Sequence, residues 1–220
     1  MSIKQNLLNI KSQLPNHVTL VAVSKTKPIA DLMEAYDAGQ RIFGENYVQE
    51  LVEKHEQMPK DIEWHFIGHL QSRKVKLIAP FVNLIHGVDS LKLLVEINKE
   101  AQKNNRVIDC LLQIFIAEEE SKFGLDEEEL NEILKQVQHE NEMNNIQIVG
   151  LMGMATFTDN KKQIEKEFQN LKTIFDKVSK MKTENCQLNT ISMGMSGDYQ
   201  LAIECGSTMV RIGSSIFGSR

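Results

Sequence analysis

Two lysines one residue apart, Lys25 and Lys27, close the stretch LVAVSKTKP. The apolar run before them alternates so that Val21, Val23 and Lys25 share one face of an extended strand while Ala22 and Ser24 share the other. Lys25 is then expected to point inward where the strand ends. A lysine amine on so rigid a base is the nucleophile of Schiff-base chemistry once shelter lowers its pKa, and it needs an aldehyde or ketone to meet. The competing reading is a solvated pair of loop cations, and position alone leaves both open.

The C-terminal third carries a second kind of chemistry. In SMGMSGDYQLAIECGSTMVRIGSSIFG, Ser192, Gly194, Ser196 and Gly197 precede a helix expected to start near Asp198, and Arg211, Gly213, Ser214 and Ser215 follow the next strand. Small residues let backbone N–H groups approach a ligand, hydroxyls donate to phosphate oxygens, and helix starts favour anions. One Gly/Ser loop is more often a simple turn; two on consecutive strands point to an anion cradle. An imine-forming lysine and a phosphate cradle together suggest pyridoxal 5'-phosphate (PLP), which carries both an aldehyde and a phosphate. An aldolase-like barrel acting on a sugar phosphate would use the same two features.

Eight short apolar runs have to position these residues: TLVAVS from Thr19, RIFG from Arg41, EWHFIG from Glu63, NLIHGV from Asn83, RVIDCLLQIFI from Arg106, IQIVGLMG from Ile146, NTISMG from Asn189 and STMVRIG from Ser207. Segments with helical spacing lie between them, among them IADLMEAYDAGQ, SLKLLVEINKEAQKN, DEEELNEILKQVQHE and KQIEKEFQNLKTIFDKVSKMK. Runs without strict polar alternation suit strands buried on both faces, and eight strand–helix units make a single (β/α)8 TIM-type barrel over residues 1–220. No GxGxxG follows the first run, which argues against a doubly wound sheet.

The 220 residues are 41% apolar and 25% charged with a formal charge of -5, a globular composition that argues against nucleic-acid binding. The amphipathic N-terminus has no signal-peptide core and no run is long enough to span a membrane, so the expected location is the cytoplasm. Cys110, Cys186 and Cys205 have no CxxC spacing and read as packing thiols. His65 and His69 are four apart, a spacing that suits metal ligation only on a helix, and the run holding His65 reads as strand; no metal site is expected. Met152, Met154, Met193 and Met195 are expected to fill the barrel interior.

Taken in order, VAVSKTKP, FGENYVQE, WHFIGHLQSRK, SKFGL, GLMGMAT, SMGMSGDY and GSTMVRIGSSIFG resemble the pyridoxal phosphate homeostasis proteins, single barrels that bind PLP and share the fold of the alanine racemase N-terminal domain. The resemblance runs the length of the chain. It implies that Lys25 holds PLP as an internal aldimine, that Ser196, Gly213 and Ser214 bind its phosphate, that Arg211 faces the pyridine nitrogen, and that Asn46 lines the pocket. An arginine at a ring nitrogen has no task in aldolase chemistry. Two departures stand out: Arg73 and Lys74 follow GHLQS where the family has Asn-Lys, and Phe115, Ile116 and Ala117 stand where it has Asn-Ile-Ser.

Alanine racemase adds a second domain and a tyrosine as its opposite acid–base group. This chain ends at Arg220 just past the eighth run, and Tyr36, Tyr47 and Tyr199 fall in or beside helical segments where packing is the simpler role. The reading is a non-enzymatic PLP-homeostasis protein with no catalytic residue of its own, a monomer that buffers the cofactor or delivers it to PLP-dependent apoenzymes. The alternative is a PLP-dependent racemase or related enzyme acting on amino acids.

Overall fold

A computed structural model of the chain describes residues 2–119, 123–139, 143–180 and 185–218. Eight parallel strands, β1 (Thr19–Val23), β2 (Ile42–Glu45), β3 (Glu63–Phe66), β4 (Leu84–Val88), β5 (Ile108–Gln113), β6 (Ile146–Met152), β7 (Cys186–Ser192) and β8 (Met209–Ile212), close into a barrel in chain order. Closure comes from β8 lying beside β1, with Thr19 opposite Met209 and Val21 opposite Arg211. Helix α1 (Ile3–Gln13) precedes the barrel. The helices α2 (Ile29–Asp37), α3 (Val48–Gln57), α4 (Val75–Ile78), α5 (Leu91–Lys103), α6 (Glu127–His139), α7 (Lys161–Val178), α8 (Tyr199–Glu204) and α9 (Ser214–Phe217) alternate with the strands and follow the last.

The expected barrel is the observed one, with shifted edges. β7 begins three residues before Asn189, and the fifth run leaves the sheet after Gln113, where Ile114 makes only an isolated bridge to Leu125. Asp198 is the N-cap of α8, and Pro28 stands just outside α2 as its N-cap. Of the SKFGL motif, Ser121 and Lys122 lie outside the described residues.

Strand alternation sorts the core into two layers. Val21, Leu84, Leu111, Met152 and Met209 pack inside the barrel, whereas Ala22, Phe43, Trp64, Phe66 and Ile85 point outward against the helices. Met152 and Met154 belong to the inner layer as expected. Met193 is buried in the outer layer instead, and Met195 sits half exposed at the mouth, because the chain leaves the strand at Ser192 and alternation no longer applies.

Candidate cofactor site

The barrel's C-terminal mouth holds a cavity of about 580 Å³ lined by Lys25, Asn46, Ser196, Arg211, Gly213 and Ser214, so the fold gathers all six sequence-derived residues in one place. Val23, Ile67 and Met154 give it apolar wall, and Thr156 to Asp159 of the loop after β6 form another side. Such a volume is in the range of small-molecule sites.

Lys25 lies two residues beyond Val23, the last residue of β1, and lines the cavity. The chain then turns: the Lys27 N–H donates to the Ser24 carbonyl at 3.1 Å, and Thr26 has φ +63°. Lys27 also lines the cavity and donates from Nζ to the Phe217 carbonyl at 3.0 Å, tying this turn to the end of α9.

After β7 the chain bends at Gly194, whose φ of +95° suits glycine and where a Cβ would lie 2.6 Å from Ala202. The Asp198 carboxylate accepts the Met195 N–H at 2.6 Å, which presents Ser196 toward the end of β8. Ser196 Oγ accepts the N–H groups of Gly213 at 3.2 Å and Ser215 at 3.5 Å. Serine hydroxyls and convergent backbone donors of this kind are the ordinary equipment of a phosphate site. Asn46 follows β2, and its Oδ1 is buried without a hydrogen-bond partner. Gly68 permits this crowding, since a Cβ there would meet the Asn46 carbonyl oxygen at 2.3 Å.

Arg211 is buried beside these groups. Nη1 donates to the Ser192 carbonyl at 2.8 Å and to Ser192 Oγ at 2.6 Å, and Nη2 donates to the Gly153 carbonyl at 3.1 Å. Among the described residues these are its side-chain bonds, which leaves Nε–H and one Nη2 hydrogen over on a residue that lines the cavity. Burial lowers its pKa to about 10, with Asp198 opposing, so it remains a cation at neutral pH. Behind it Ser192 Oγ lies 3.1 Å from His86 Nδ1, and His86 Nε2 lies 3.1 Å from His65 Nδ1. A consistent set of donors runs outward from the guanidinium through Ser192 to both rings.

Burial lowers His65 to about 3 and holds His86 well below the ordinary 6.5, where His65 and Arg211 add to the shift. Below pH ~6.5 the unfolded chain takes up protons at both rings and the folded chain does not, so their contribution is full above that pH and is lost as pH falls toward 3. The unfolding free energy is expected to decline between pH ~6.5 and ~5 with a slope approaching about 1.4 kcal/mol per pH unit for each ring. Urea unfolding at a series of pH values measures it; a flat profile would mean the rings are not held neutral.

Thr156, Asp159 and Asp198 line the cavity but were not singled out from sequence. Their signal was positional, since each follows the C-terminal end of a strand. Arg73 is exposed, bonds to Gln71 at 3.2 Å and does not line the cavity; Phe115 is half exposed, and Ile116 and Ala117 are buried. His69 pairs with Asp89 at 3.2 Å. The tyrosines are engaged elsewhere: Tyr36 donates to Asp61, Tyr199 donates to Gln13, and Tyr47 is the exposed N-cap of α3. Burial raises the pKa of all three cysteines, as packing thiols require.

The profile of the alanine racemase N-terminal domain family matches residues 1–220. Proteins called pyridoxal phosphate homeostasis protein are 39% identical in Pasteurella multocida, across 100% of this chain and 98% of the relative, and 40% identical in Vibrio alginolyticus over the same shares. The chain belongs to the pyridoxal phosphate homeostasis protein family. Among solved structures, PipY of Synechococcus elongatus with PLP bound superposes with a TM-score of 0.89 at 34% identity, covering 99% of this chain and 100% of that one. Alanine racemase of Enterococcus faecalis, at 15% identity and a TM-score of 0.75, shares the fold; this chain spans 58% of it. In this member of the homeostasis family the chemistry-bearing residues thus sit on the barrel end that holds the sites of barrel proteins generally.

Proposed function

We propose that this chain binds PLP in the mouth cavity and serves PLP homeostasis as a cytoplasmic monomer, buffering the cofactor or delivering it to PLP-dependent apoenzymes. The observation that carries the reading is the convergence on one cavity of an amine at Lys25, the Ser196–Gly213–Ser214 cradle and the buried donor Arg211. The names of the relatives and the PLP held by PipY point the same way. The unpartnered Oδ1 of Asn46 and the unspent hydrogens of Arg211 are polar groups that a ligand with donors and acceptors would satisfy.

When bound, PLP supplies an aldehyde able to condense with an amine and a ring able to draw electrons from it. Lys25 provides the amine, and Ser196, Gly213 and Ser214 hold the phosphate. Arg211 can donate but not accept a proton, so at the pyridine nitrogen it opposes protonation and weakens the electron pull. Among the described residues no tyrosine lines the cavity to act as a second acid–base group. Together these features favour carriage of the cofactor over turnover of amino acids.

The test is a panel of L-amino acids with the PLP-loaded protein, followed by chiral chromatography, alongside transfer of PLP to an apoenzyme. Transfer without consumption or inversion of any amino acid is expected. Steady racemisation or transamination would establish an enzyme instead.

A further inference from the structure

We propose that Glu50 is a positioning residue for Lys25: backed by the Glu45–Lys54 pair, it clamps Thr26 in a left-handed conformation and fixes the turn from which Lys25 reaches the cavity. The inference rests on Lys25 being the residue that takes the cofactor.

Lys25 and Thr26 are the two corner residues of the turn closed by the Lys27 N–H and the Ser24 carbonyl. Positive φ at the third turn residue is the demand of a type II turn, which glycine or asparagine normally meets. Here it falls on threonine, whose branched Cβ makes that region costly, so something must hold it. Glu50 Oε1 accepts the Thr26 N–H at 2.6 Å. The same oxygen accepts from Lys54 Nζ at 2.9 Å, and Nζ also donates to Glu45 Oε1 at 2.7 Å and to the Ser24 carbonyl at 2.8 Å. Ser24 Oγ completes the set, donating to Glu45 Oε1 at 2.6 Å.

Both chain neighbours of Lys25 are therefore tied to one ammonium. The Lys54 side chain is 5% exposed and that of Glu45 is 0%, so the Lys54–Glu45 bond acts in a low dielectric where it is strong and directional, while Glu50, 21% exposed, carries the connection out to Thr26 at the surface. Neither carboxylate nor Lys54 lines the cavity. Glu50 reaches the cavity wall through Thr26, which lines it, and Lys54 reaches it through Ser24 and through Glu45, the chain neighbour of Asn46.

The rival role is structural, with Glu50 merely seating α3. A double-mutant cycle between Glu50→Ala and Thr26→Gly separates the two, read by PLP titration. With Thr26 present, Glu50→Ala is expected to raise the PLP dissociation constant about tenfold, the effect of releasing one strained residue. In the Thr26→Gly background it should raise it less than about threefold, because glycine adopts positive φ without strain. Equal losses in both backgrounds, or no loss in either, would overturn the positioning role.

A readout without cofactor accompanies the cycle. In the PLP-free protein, exchange of the Thr26 amide hydrogen should be slow and should quicken at least about tenfold in Glu50→Ala. A fast-exchanging amide in the unsubstituted protein would remove the clamp. A slow-exchanging amide in a protein that takes up no PLP would overturn the cofactor reading, and the positioning role with it, while showing that the clamp itself is present.

Discussion

Lys25→Ala should abolish the borohydride-trappable visible absorbance of the PLP-loaded protein and weaken PLP binding by at least about a hundredfold, or ~2.7 kcal/mol. The expectation follows from geometry: Lys25, two residues past the end of β1, lines the same cavity as Ser196, Gly213, Ser214 and Arg211. Lys27 lines the same cavity but bonds the carbonyl at the end of α9, so it does not substitute at the same place. After borohydride treatment and proteolysis, mass spectrometry should find the reduced cofactor on Lys25. Recovery of most of it on another lysine, or an unchanged spectrum in Lys25→Ala, would refute the assignment.

The largest effect on stability is expected from Lys54→Met. Lys54 bonds Glu45, a fully buried carboxylate whose second oxygen has no partner. Burial raises the Glu45 pKa even though Lys54 and Ser24 pull it down, so the carboxylate is costly to bury and depends on its ammonium. Methionine would fill the volume but leave that charge uncompensated, a loss of roughly 3–5 kcal/mol out of the ~5–15 typical of folded proteins. Adding Glu45→Gln should restore most of it. The penalty should also shrink as pH falls, since a protonated Glu45 no longer needs a counter-charge. Chemical denaturation of the single and double variants at two pH values measures both; a loss under ~1 kcal/mol at neutral pH would show that the pair is not the buried ion pair it appears by distance.

How much of the site was legible in the sequence differs residue by residue. Ser196, Gly213 and Ser214 could be placed at the mouth because short runs of small residues just after strands are a local pattern, and all three line the cavity. Lys25 could be read because it follows the end of an apolar run, the position from which it lines the cavity. Arg211 was visible as a residue, but its task rested on resemblance to a family, since nothing local says what a buried guanidinium faces. Met195, expected inside the barrel, is exposed instead because it lies three residues past the end of β7, where the chain has already left the sheet.

The sequence by itself determined the barrel. Eight apolar runs with helical segments between them have few other ways to bury both faces of a parallel sheet, and the strand-end residues then fall on one mouth. What only the tertiary structure decided are contacts between neighbours in space with no fixed spacing in the chain. His86 reaches Ser192 across 106 positions, and Lys54 on α3 joins Ser24, just past β1, to Glu45 on β2. The left-handed Thr26 belongs with them, because its threonine gives no local sign of positive φ and the conformation depends on a carboxylate from another element. Local pattern fixes which residues can do chemistry; closure of the barrel fixes which groups hold them still.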